Sequence, residues 1–513
     1  MNRTDEREGH VSQTVEQTRG GAIGFDHDKY TALQSARIRE RIDRFGGKLY
    51  LEMGGKLFDD FHAARVLPGF LPHSKINMLL TLRDQLEVVI AISADDIEKN
   101  KVRGDLGITY DADVLRLIDA FRASDLPVGS VVLTRYAGQP YANMFRRRLK
   151  QLGIRVYLHY TIAGYPSDVP LIVSDKGYGK NEYIETSRPL VLVTAPGPGS
   201  GKMAVCMSQL YQDHQRGMRA GYAKFETFPV WNLPLKHPVN VAYEAATVDL
   251  DDVNMIDPFH LEAYGATTVN YNRDIEVFPI LNAIFARIWG ESPYQSPTDM
   301  GVNMAGYCII DDDVVSAAAR QEVIRRYYST LVEVRKGLAT DEQVDKLRIL
   351  MHQLSLTDDE RPVLNAARKR ADLTGGPAAA VQLHDGTVIT SKTSSLLGAS
   401  AALILNALKK LAGIPKAEKL IPPEVIGPVQ DLKLTYLGNR NPRLHSDEIL
   451  VALSITAASS SDAALAMAQL PKLKGCEVHT TVILSQADDS SFRRLGVNLT
   501  SEPKYQTRKL FHG

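Results

Sequence analysis

A glycine-rich segment, APGPGSGK at 195–202, has the residue types of a site that binds phosphate. It follows an apolar run and precedes a stretch of helical pattern, which is the order of a phosphate-binding loop. Its glycines can take the backbone conformations that turn successive N–H groups toward an anion at a helix N-terminus. Its serine can donate a hydroxyl hydrogen, and its lysine can neutralise a phosphate. The predicted phosphate-binding residues are Gly197, Gly199, Ser200, Gly201 and Lys202.

The same segment departs from the usual loop at two positions. Pro196 stands where the first glycine is expected, and proline has no N–H and a fixed φ. Met203 stands where a serine or threonine would bind magnesium. Three interpretations stay open: a site for ATP or another nucleotide with Mg²⁺, a site for a different phosphorylated ligand, or a turn that only lets a helix pack on a strand. The residues favour phosphate binding and support Mg²⁺ weakly.

Between 224 and 303 the chain is rich in side chains that can act as acids, bases or hydrogen-bonding partners. In an open α/β sheet such residues are expected in loops at strand ends, where ligands bind. The candidates for proton transfer or charge stabilisation are Lys224, Glu226, His237 and His260. The candidates for orienting a polar substrate are Asn270, Asn272, Arg273, Asp299 and Asn303.

No metal site is predicted. Asp257 and His260 lie close together in the sequence, but no third ligand follows at the spacing of a metal site. Asp257 precedes Pro258, and that pair is typical of a helix N-terminus, so a capping role for Asp257 is favoured.

The strands and helices that position these residues are predicted from alternating apolar and helical patterns. Continuous apolar runs that alternate with helical spacing are typical of a parallel sheet covered on both faces. Strands or runs of strand length are predicted at 48–53, 75–82, 86–93, 129–135, 155–160 and 189–194. Helical spacing is seen at 111–124, at 141–153 and after the glycine-rich segment.

The C-terminal part of the chain has a different pattern. Residues 311–372 are mostly helical, and TGGPAAA at 374–380 is the clearest linker. VQLHDGTVIT at 381–390 predicts a hairpin with Asp385 and Gly386 at the turn. Further helices are predicted at 394–412 and 446–470, and further strands at 432–437 and 476–485.

The chain is therefore predicted to be a multi-domain α/β protein with doubly wound, mainly parallel sheets, a helical segment and a smaller C-terminal α/β domain. The predicted divisions are a disordered leader (1–24), an N-terminal α/β domain (25–185), an α/β domain with the glycine-rich turn (186–310), a helical segment (311–375) and a C-terminal α/β domain (376–513).

The composition indicates which classes of binding partner are expected. Lysine plus arginine and aspartate plus glutamate are equal at 60 each, so no overall charge points to nucleic acid or to an anionic membrane. The most apolar run, at 395–408, is too short to span a bilayer. Three cysteines lie far apart in sequence and do not form the pattern of a disulfide framework, which is consistent with the reducing cytoplasm. The expected partner is a small phosphorylated molecule, and the formation of a homo-oligomer stays open.

Several long segments carry a resemblance. TAPGPGSGKMA, AGYAKFETFPVWNLPLKHPVN, NMIDPFHLEAYG, NYNRD and SPTDMGVN resemble those of a family of uncharacterised bacterial proteins, a domain-of-unknown-function family of actinobacteria and firmicutes. The similarity extends from about residue 25 to the end of the chain. It implies a cytoplasmic multi-domain α/β protein. No agreed activity comes with the family, so it implies no catalytic residues.

Two functional hypotheses follow. The first is an enzyme that acts on a phosphorylated or nucleotide ligand; if that ligand is ATP, an ATP-dependent transferase or ligase is the expected type. The second is a regulatory protein that binds a phosphorylated metabolite without converting it.

Overall fold

The structure, a computed structural model, describes residues 22–58, 60–103 and 106–506. It forms two compact units. The larger one comprises Ile23–Glu244 and Leu250–Ser316, and the smaller one comprises Ala22, Ala245–Asp249 and the described part of Ala317–Gly513. Most of the leader predicted at 1–24 lies outside the described residues.

Seven parallel strands form the main sheet of the larger unit, in the order β11-β8-β1-β7-β2-β5-β6. Two pairs of short strands, β3 with β4 and β9 with β10, lie outside this sheet. The strands are β1 (Leu49–Met53), β2 (Leu86–Ser93), β3 (Val102–Arg103), β4 (Ile108–Thr109), β5 (Val128–Tyr136), β6 (Arg155–Tyr160), β7 (Leu190–Thr194), β8 (Gly221–Phe225), β9 (Asn254–Ile256), β10 (Val269–Tyr271) and β11 (Gly301–Val302).

Helices connect these strands. They are α1 (His27–Arg44), α2 (Phe61–Val66), α3 (Ser74–Leu80), α4 (Ala94–Glu98), α5 (Tyr110–Ala123), α6 (Pro140–Gln151), α7 (Val169–Ile172), α8 (Lys202–Gln215), α9 (Pro238–Ala246), α10 (Pro258–Tyr264), α11 (Asn272–Trp289) and α12 (Pro297–Met300).

The direction of the connections reverses at β7. From β1 through β2 and β5 to β6 the chain moves toward the β6 edge, whereas from β7 through β8 to β11 it moves toward the β11 edge. Because crossovers between parallel strands are right-handed, the two directions place their helices on opposite faces. The sheet is therefore doubly wound, as predicted. Strands from 25–185 and from 186–310 share this one sheet, so the predicted boundary at 185/186 falls inside it.

Apolar runs account for the central strands. Every residue of β1, β2 and β7 is buried, as expected for parallel strands covered on both faces. The run at 75–82 was predicted to have strand length, but the structure places it in α3. Ile76, Met78 and Leu79 are buried there, and a short apolar run of this kind does not distinguish a strand from a helix.

The smaller unit has a four-stranded sheet in the order β13-β12-β14-β15. Its strands are β12 (Ala378–Gln382), β13 (Val388–Lys392), β14 (Glu477–Thr480) and β15 (Asn498–Ser501). The hairpin between β12 and β13 is confirmed, and Gly386 at its turn has a φ of +82°. The remaining helices are α13 (Asp312–Arg335), which begins in the larger unit, α14 (Asp341–Gln353), α15 (Pro362–Thr374), α16 (Ala399–Ala412), α17 (Pro423–Asp431), α18 (Ser446–Ala457), α19 (Ser461–Met467) and α20 (Gln486–Arg494).

Two predicted C-terminal strands differ from the structure. Residues 432–437 are not a strand, because α17 continues into a π-helical turn at Leu432–Tyr436. Lys433 is buried in that turn, and its ammonium donates to Glu448 at 2.7 Å. The strand predicted at 476–485 is limited to β14. None of the helices in the described part of the chain is both long and apolar enough to cross a bilayer.

Candidate functional site

The glycine-rich segment forms a loop between the carboxyl end of β7 and the start of α8. Gly199 and Gly201 have φ values of +76° and +85°, which a residue with a side chain adopts only under strain. Gly201 is the N-cap of α8, and no side chain in the described part of the chain caps that helix start. Lys202 is the first residue of the helix. The loop thus has the strand–loop–helix arrangement on which its prediction depended.

The N–H groups of this loop are available to a ligand. Within the described residues, no protein atom accepts a hydrogen bond from the backbone N–H groups of residues 199–204. They surround the positive end of the α8 dipole, which favours an anion. The Ser200 hydroxyl is used inside the loop, because it donates to the Gly197 carbonyl at 2.9 Å. Backbone groups and Lys202 therefore remain to contact a phosphate.

Two neighbours fix the position of the loop. The hydroxyl of Thr134, at the end of β5, donates to the Ser200 carbonyl at 2.8 Å. A Cβ added to Gly201 would come within 3.2 Å of the same threonine, and one added to Gly197 would lie 2.2 Å from the Tyr110 hydroxyl. The loop therefore extends across the end of β2, which lies between β7 and β5.

This location is a topological switch point of the sheet. The strands β7 and β2 are neighbours, but their connections leave in opposite directions. In open α/β sheets ligands bind in the crevice outside the carboxyl ends of two such strands. The Ser93 hydroxyl, at the end of β2, is buried there without a hydrogen-bonding partner among the described residues.

Four residues occupy neighbouring register positions on the strands from β7, which precedes the loop, to β11 at the edge of the sheet. Val193 on β7, Glu52 on β1 and Lys224 on β8 are in register, and Gly301 on β11 follows Lys224. Residues paired in this way point to the same face of a sheet. Glu52 and Lys224 therefore lie side by side near the carboxyl ends of their strands.

The ammonium of Lys224 lies between two carboxylates. It is 2.8 Å from an oxygen of Glu226 and forms a second ion pair with Asp274 at the start of α11. Burial alone would lower the pKa of Lys224, but the two carboxylates raise it above its usual value. Burial raises the pKa of Glu226 to about 7; Lys224 opposes this increase, and Asp274 adds to it. Glu226 can therefore exchange a proton near neutral pH.

Glu52 connects this cluster to the loop. It is 8% exposed, and it accepts a hydrogen bond from the Tyr222 hydroxyl at 2.7 Å. Cys206, in the second turn of α8, lies within electrostatic reach of Glu52 and Lys202: burial raises the pKa of its thiol, Glu52 raises it further, and Lys202 lowers it. The start of α8 and the neighbouring residues Glu52 and Lys224 thus lie at the same end of the sheet, where the strands have their carboxyl ends.

The two predicted catalytic histidines lie elsewhere in the larger unit. His237 has its Nε2 atom 3.0 Å from an Asp312 oxygen, and its Nδ1 accepts from the Val239 N–H. His260 has its Nδ1 atom 2.9 Å from the Ser296 hydroxyl. No hydrogen bond or ion pair joins either histidine to Lys224 or Glu226 within the described residues. Of the four predicted catalytic side chains, contacts therefore join only the lysine and the glutamate.

The predicted substrate-orienting side chains bond to the protein itself. Asn270 donates to Thr298, Asn272 accepts from the Val253 N–H, Arg273 pairs with Asp252, Asp299 accepts from Tyr264 and Asn303 donates to the Pro229 carbonyl. Their role in orienting a substrate stays a prediction.

Asp257 caps α10, as favoured, and accepts from the N–H groups of Phe259 and His260. No group of three or more His, Cys, Asp or Glu side chains in the described ranges is arranged to hold a metal ion.

Sequence reasoning missed Glu52 and Asp274 as site residues. Glu52 is the one charged residue in LYLEM, and a charge in a buried strand is a signal that could have identified it. Asp274 belongs to NYNRD, a segment that is as typical of a solvated turn as of a ligand site. Nothing local to that segment shows that it packs against β8.

Comparisons with known proteins agree on one family. The model described as "Domain of unknown function DUF1846, N-terminal" matches residues 23–355, and that described as "Domain of unknown function DUF1846, C-terminal" matches residues 359–511. A UPF0371 protein of Streptococcus pyogenes serotype M5 is 58% identical over 489 residues, which cover 95% of this chain and 99% of the relative. A UPF0371 protein of Streptococcus thermophilus is 58% identical over 487 residues, with the same coverage of both chains.

Proposed function

The chain belongs to the DUF1846 family, and we propose that it is an enzyme that binds a small phosphorylated molecule at residues 197–202 and acts on it with Glu226 and Lys224. This family membership confirms the resemblance noted in the sequence and supplies no activity. The proposal therefore depends on the geometry of the site.

The loop at the switch point is the observation that carries the proposal. Its N–H groups at 199–204 have no acceptor among the described residues, and Lys202 stands at the positive end of the α8 dipole. A phosphate oxygen would satisfy several of these donors at once, and charge-assisted hydrogen bonds of this kind are strong. A turn needed only for packing does not require a lysine at this position.

The ligand we favour is a phosphorylated metabolite bound without a loop-held magnesium ion. Met203, in the first turn of α8, offers no hydroxyl to Mg²⁺, and the Ser200 hydroxyl is bonded inside the loop. If ATP is nevertheless the ligand, the proposal is an ATP-dependent transferase or ligase. The cytoplasm is the compartment we propose, since the three cysteines are free and buried.

Glu226 is the proposed proton carrier. Because its pKa is raised to about 7, it can hold a proton at neutral pH and donate it, or accept one, as the ligand reacts. Lys224 would stabilise negative charge that develops beside it.

A non-catalytic binding protein is the alternative. It is favoured by one observation, namely that the Lys224 ammonium is already engaged by two carboxylates, as in a structural ion cluster. Mass spectrometry of a metabolite extract incubated with wild type or Glu226→Gln would separate the two functions. Consumption of a phosphorylated compound by wild type alone supports the enzyme, whereas retention of a compound without conversion supports the binding protein.

Calorimetric titration tests the phosphate site itself. Inorganic phosphate and ATP, with and without MgCl₂, would be titrated into wild type, Lys202→Ala and Lys150→Ala. Lys150 is exposed near the C-terminal end of α6 and serves as the matched control. We expect binding to wild type and to the control, and about tenfold weaker binding to Lys202→Ala. Equal affinity in all three proteins would contradict the proposal.

A further inference from the structure

We infer that the phosphorylated ligand carries hydroxyl groups next to its phosphate, as a sugar phosphate does, and that Glu52 accepts hydrogen bonds from them. This inference rests on the proposed phosphate site at residues 197–202 and specifies the class of ligand that the site takes.

Glu52 is a carboxylate for which the described residues provide no counter-ion. It lies one residue before the end of β1 and is 8% exposed. Among the described residues, Tyr222 is its one hydrogen-bonding partner, bound to Oε2, and no cation forms an ion pair with it. Lys224 is its direct neighbour on β8, but the Lys224 ammonium bonds to Glu226 and Asp274. Buried charges are normally paired, whereas the Oε1 atom of Glu52 has no partner among the described residues.

Glu52 is also close to the proposed phosphate. Its register partner Val193 lies one residue before the last residue of β7, and the glycine-rich loop begins directly after that strand. Cys206 lies within electrostatic reach of both Glu52 and Lys202. Since β1 is the other neighbour of β7, a ligand anchored at the start of α8 can extend to Glu52.

The charge of Glu52 selects the chemistry of those atoms. A carboxylate repels a second anion, so Glu52 does not bind the phosphate itself. It can accept hydrogen bonds from neutral donors, and two neighbouring hydroxyl groups match its two oxygens. The same arrangement serves dinucleotide-binding sheets, in which an acidic residue binds ribose hydroxyls beside a glycine-rich phosphate loop.

Further polar groups lie near Cys206, which is itself within electrostatic reach of Glu52. The Tyr178 hydroxyl, within electrostatic reach of Cys206, is fully buried without a hydrogen-bonding partner among the described residues. Tyr165 is 43% exposed, but partial desolvation of its hydroxyl and the charge of Glu52 raise its pKa while Arg135 lowers it, so this tyrosine lies within electrostatic reach of Glu52 and of a cation. Arg135, at the end of β5, has a φ of +52°, and such strained residues concentrate at ligand sites. Hydroxyl groups thus accompany the Glu52 carboxylate, and the Arg135 guanidinium lies within electrostatic reach of one of them, which suits a polyhydroxylated ligand.

Calorimetry with a matched pair of probes tests the inference. Inorganic phosphate and ribose 5-phosphate would each be titrated into wild type, Glu52→Gln, Tyr222→Phe and Lys202→Ala. We expect wild type to bind ribose 5-phosphate about tenfold more tightly than phosphate, because hydrogen bonds to a charged acceptor are worth that much. Glu52→Gln should lose this preference and keep its affinity for phosphate. Tyr222→Phe keeps the carboxylate and should keep the preference, whereas Lys202→Ala should weaken the binding of both probes.

The outcomes separate this inference from the proposed function. If wild type binds neither probe, the phosphate site is wrong and the inference falls with it. If phosphate binds but ribose 5-phosphate binds no more tightly, or if Glu52→Gln keeps the preference, only the inference is overturned. Phosphate binding that requires MgCl₂ in wild type and disappears in Glu52→Gln would assign Glu52 to a metal and would also overturn it. Should Glu52→Gln fail to fold, Glu52→Asp, which withdraws the carboxylate by one methylene, is expected to lose the preference in the same way.

Discussion

Glu52 and Lys224 occupy paired positions on the neighbouring strands β1 and β8, yet the Lys224 ammonium bonds to Glu226 and Asp274 and not to Glu52. Two carboxylates therefore share one partly buried lysine, and Glu52 lies beside them as a third carboxylate. Burial raises the pKa of Glu226, Lys224 opposes this increase and Asp274 adds to it. Because the lysine is engaged by the other two carboxylates, Glu52 is left available to a ligand.

Asp274→Asn should destabilise the protein and lower the pKa of Glu226. The substitution keeps the size of the side chain but removes one of the two carboxylates on Lys224. We expect a loss of about 2 kcal/mol in the free energy of unfolding, less than for a fully broken buried pair because Glu226 remains. Urea denaturation would measure it.

The control for this prediction is Asp84→Asn. The Asp84 side chain is 95% exposed and lies 3.8 Å from Arg83, so its loss should change the unfolding free energy by less than about 0.5 kcal/mol. Equal effects of the two substitutions would show that the buried cluster contributes no special stability.

Gly201→Ala should distort the loop and weaken phosphate binding. Gly201 has a φ of +85°, and an added Cβ would meet Thr134 at 3.1–3.2 Å. We expect a destabilisation of about 2 kcal/mol from backbone strain and crowding. Gly217→Ala is the matched control, since Gly217 has a φ of +71° with no atom near the added Cβ.

The difference between the two glycine variants isolates the contact with Thr134. Thermal denaturation gives the stability of each, and calorimetry with inorganic phosphate gives the affinity. If Gly201→Ala binds phosphate as well as Gly217→Ala does, the loop conformation is not needed for the site.

Arg361→Met should destabilise the smaller unit. Arg361 is fully buried, pairs with Glu477, and donates to the Val478 and Asn498 carbonyls on β14 and β15. Its removal leaves buried carbonyls and one oxygen of Glu477 without this donor, whereas Arg325 and Asn498 still bond to the other oxygen, so a cost of about 3 kcal/mol is expected. Arg348→Met, on the exposed face of α14, should cost less than about 1 kcal/mol. Comparable urea midpoints for the two variants would contradict this prediction.

Local patterns predicted most of the main sheet, because a continuous apolar run such as LEVVIAIS is typical of a parallel strand that is buried on both faces. They failed where the pattern was ambiguous. The structure places most of the apolar run at 75–82 in α3 and places 432–436 in a π-helical turn. Lys433 is buried in that turn and bonds to Glu448, a contact that no local period reveals. The parallel strand β15 was not predicted at all.

The sequence predicted the glycine-rich loop of the candidate site but not the residues that surround it. The loop is contiguous in sequence, so its glycines and Lys202 could be identified together. Its neighbours come from strands far apart in the chain, and their adjacency depends on the strand order β8-β1-β7, which the sequence does not state. Glu52 was therefore overlooked, whereas His237 and His260 were grouped with Lys224 although contacts place them elsewhere.

The stability of the larger unit should fall as the pH rises from about 4.5 to 7, and Glu226 should be the cause. Its pKa is raised from an ordinary value of 4.5 to about 7, so between these values the folded protein binds a proton that the unfolded chain releases. Folding is therefore favoured on the acidic side of this window, and that contribution is lost as the pH passes through the folded pKa. In Glu226→Gln the contribution disappears, while in Glu276→Gln, an exposed position on α11, it should persist. Urea midpoints at pH 5, 6, 7 and 8 would measure the difference, and parallel pH curves for wild type and Glu226→Gln would exclude Glu226 as the titrating group.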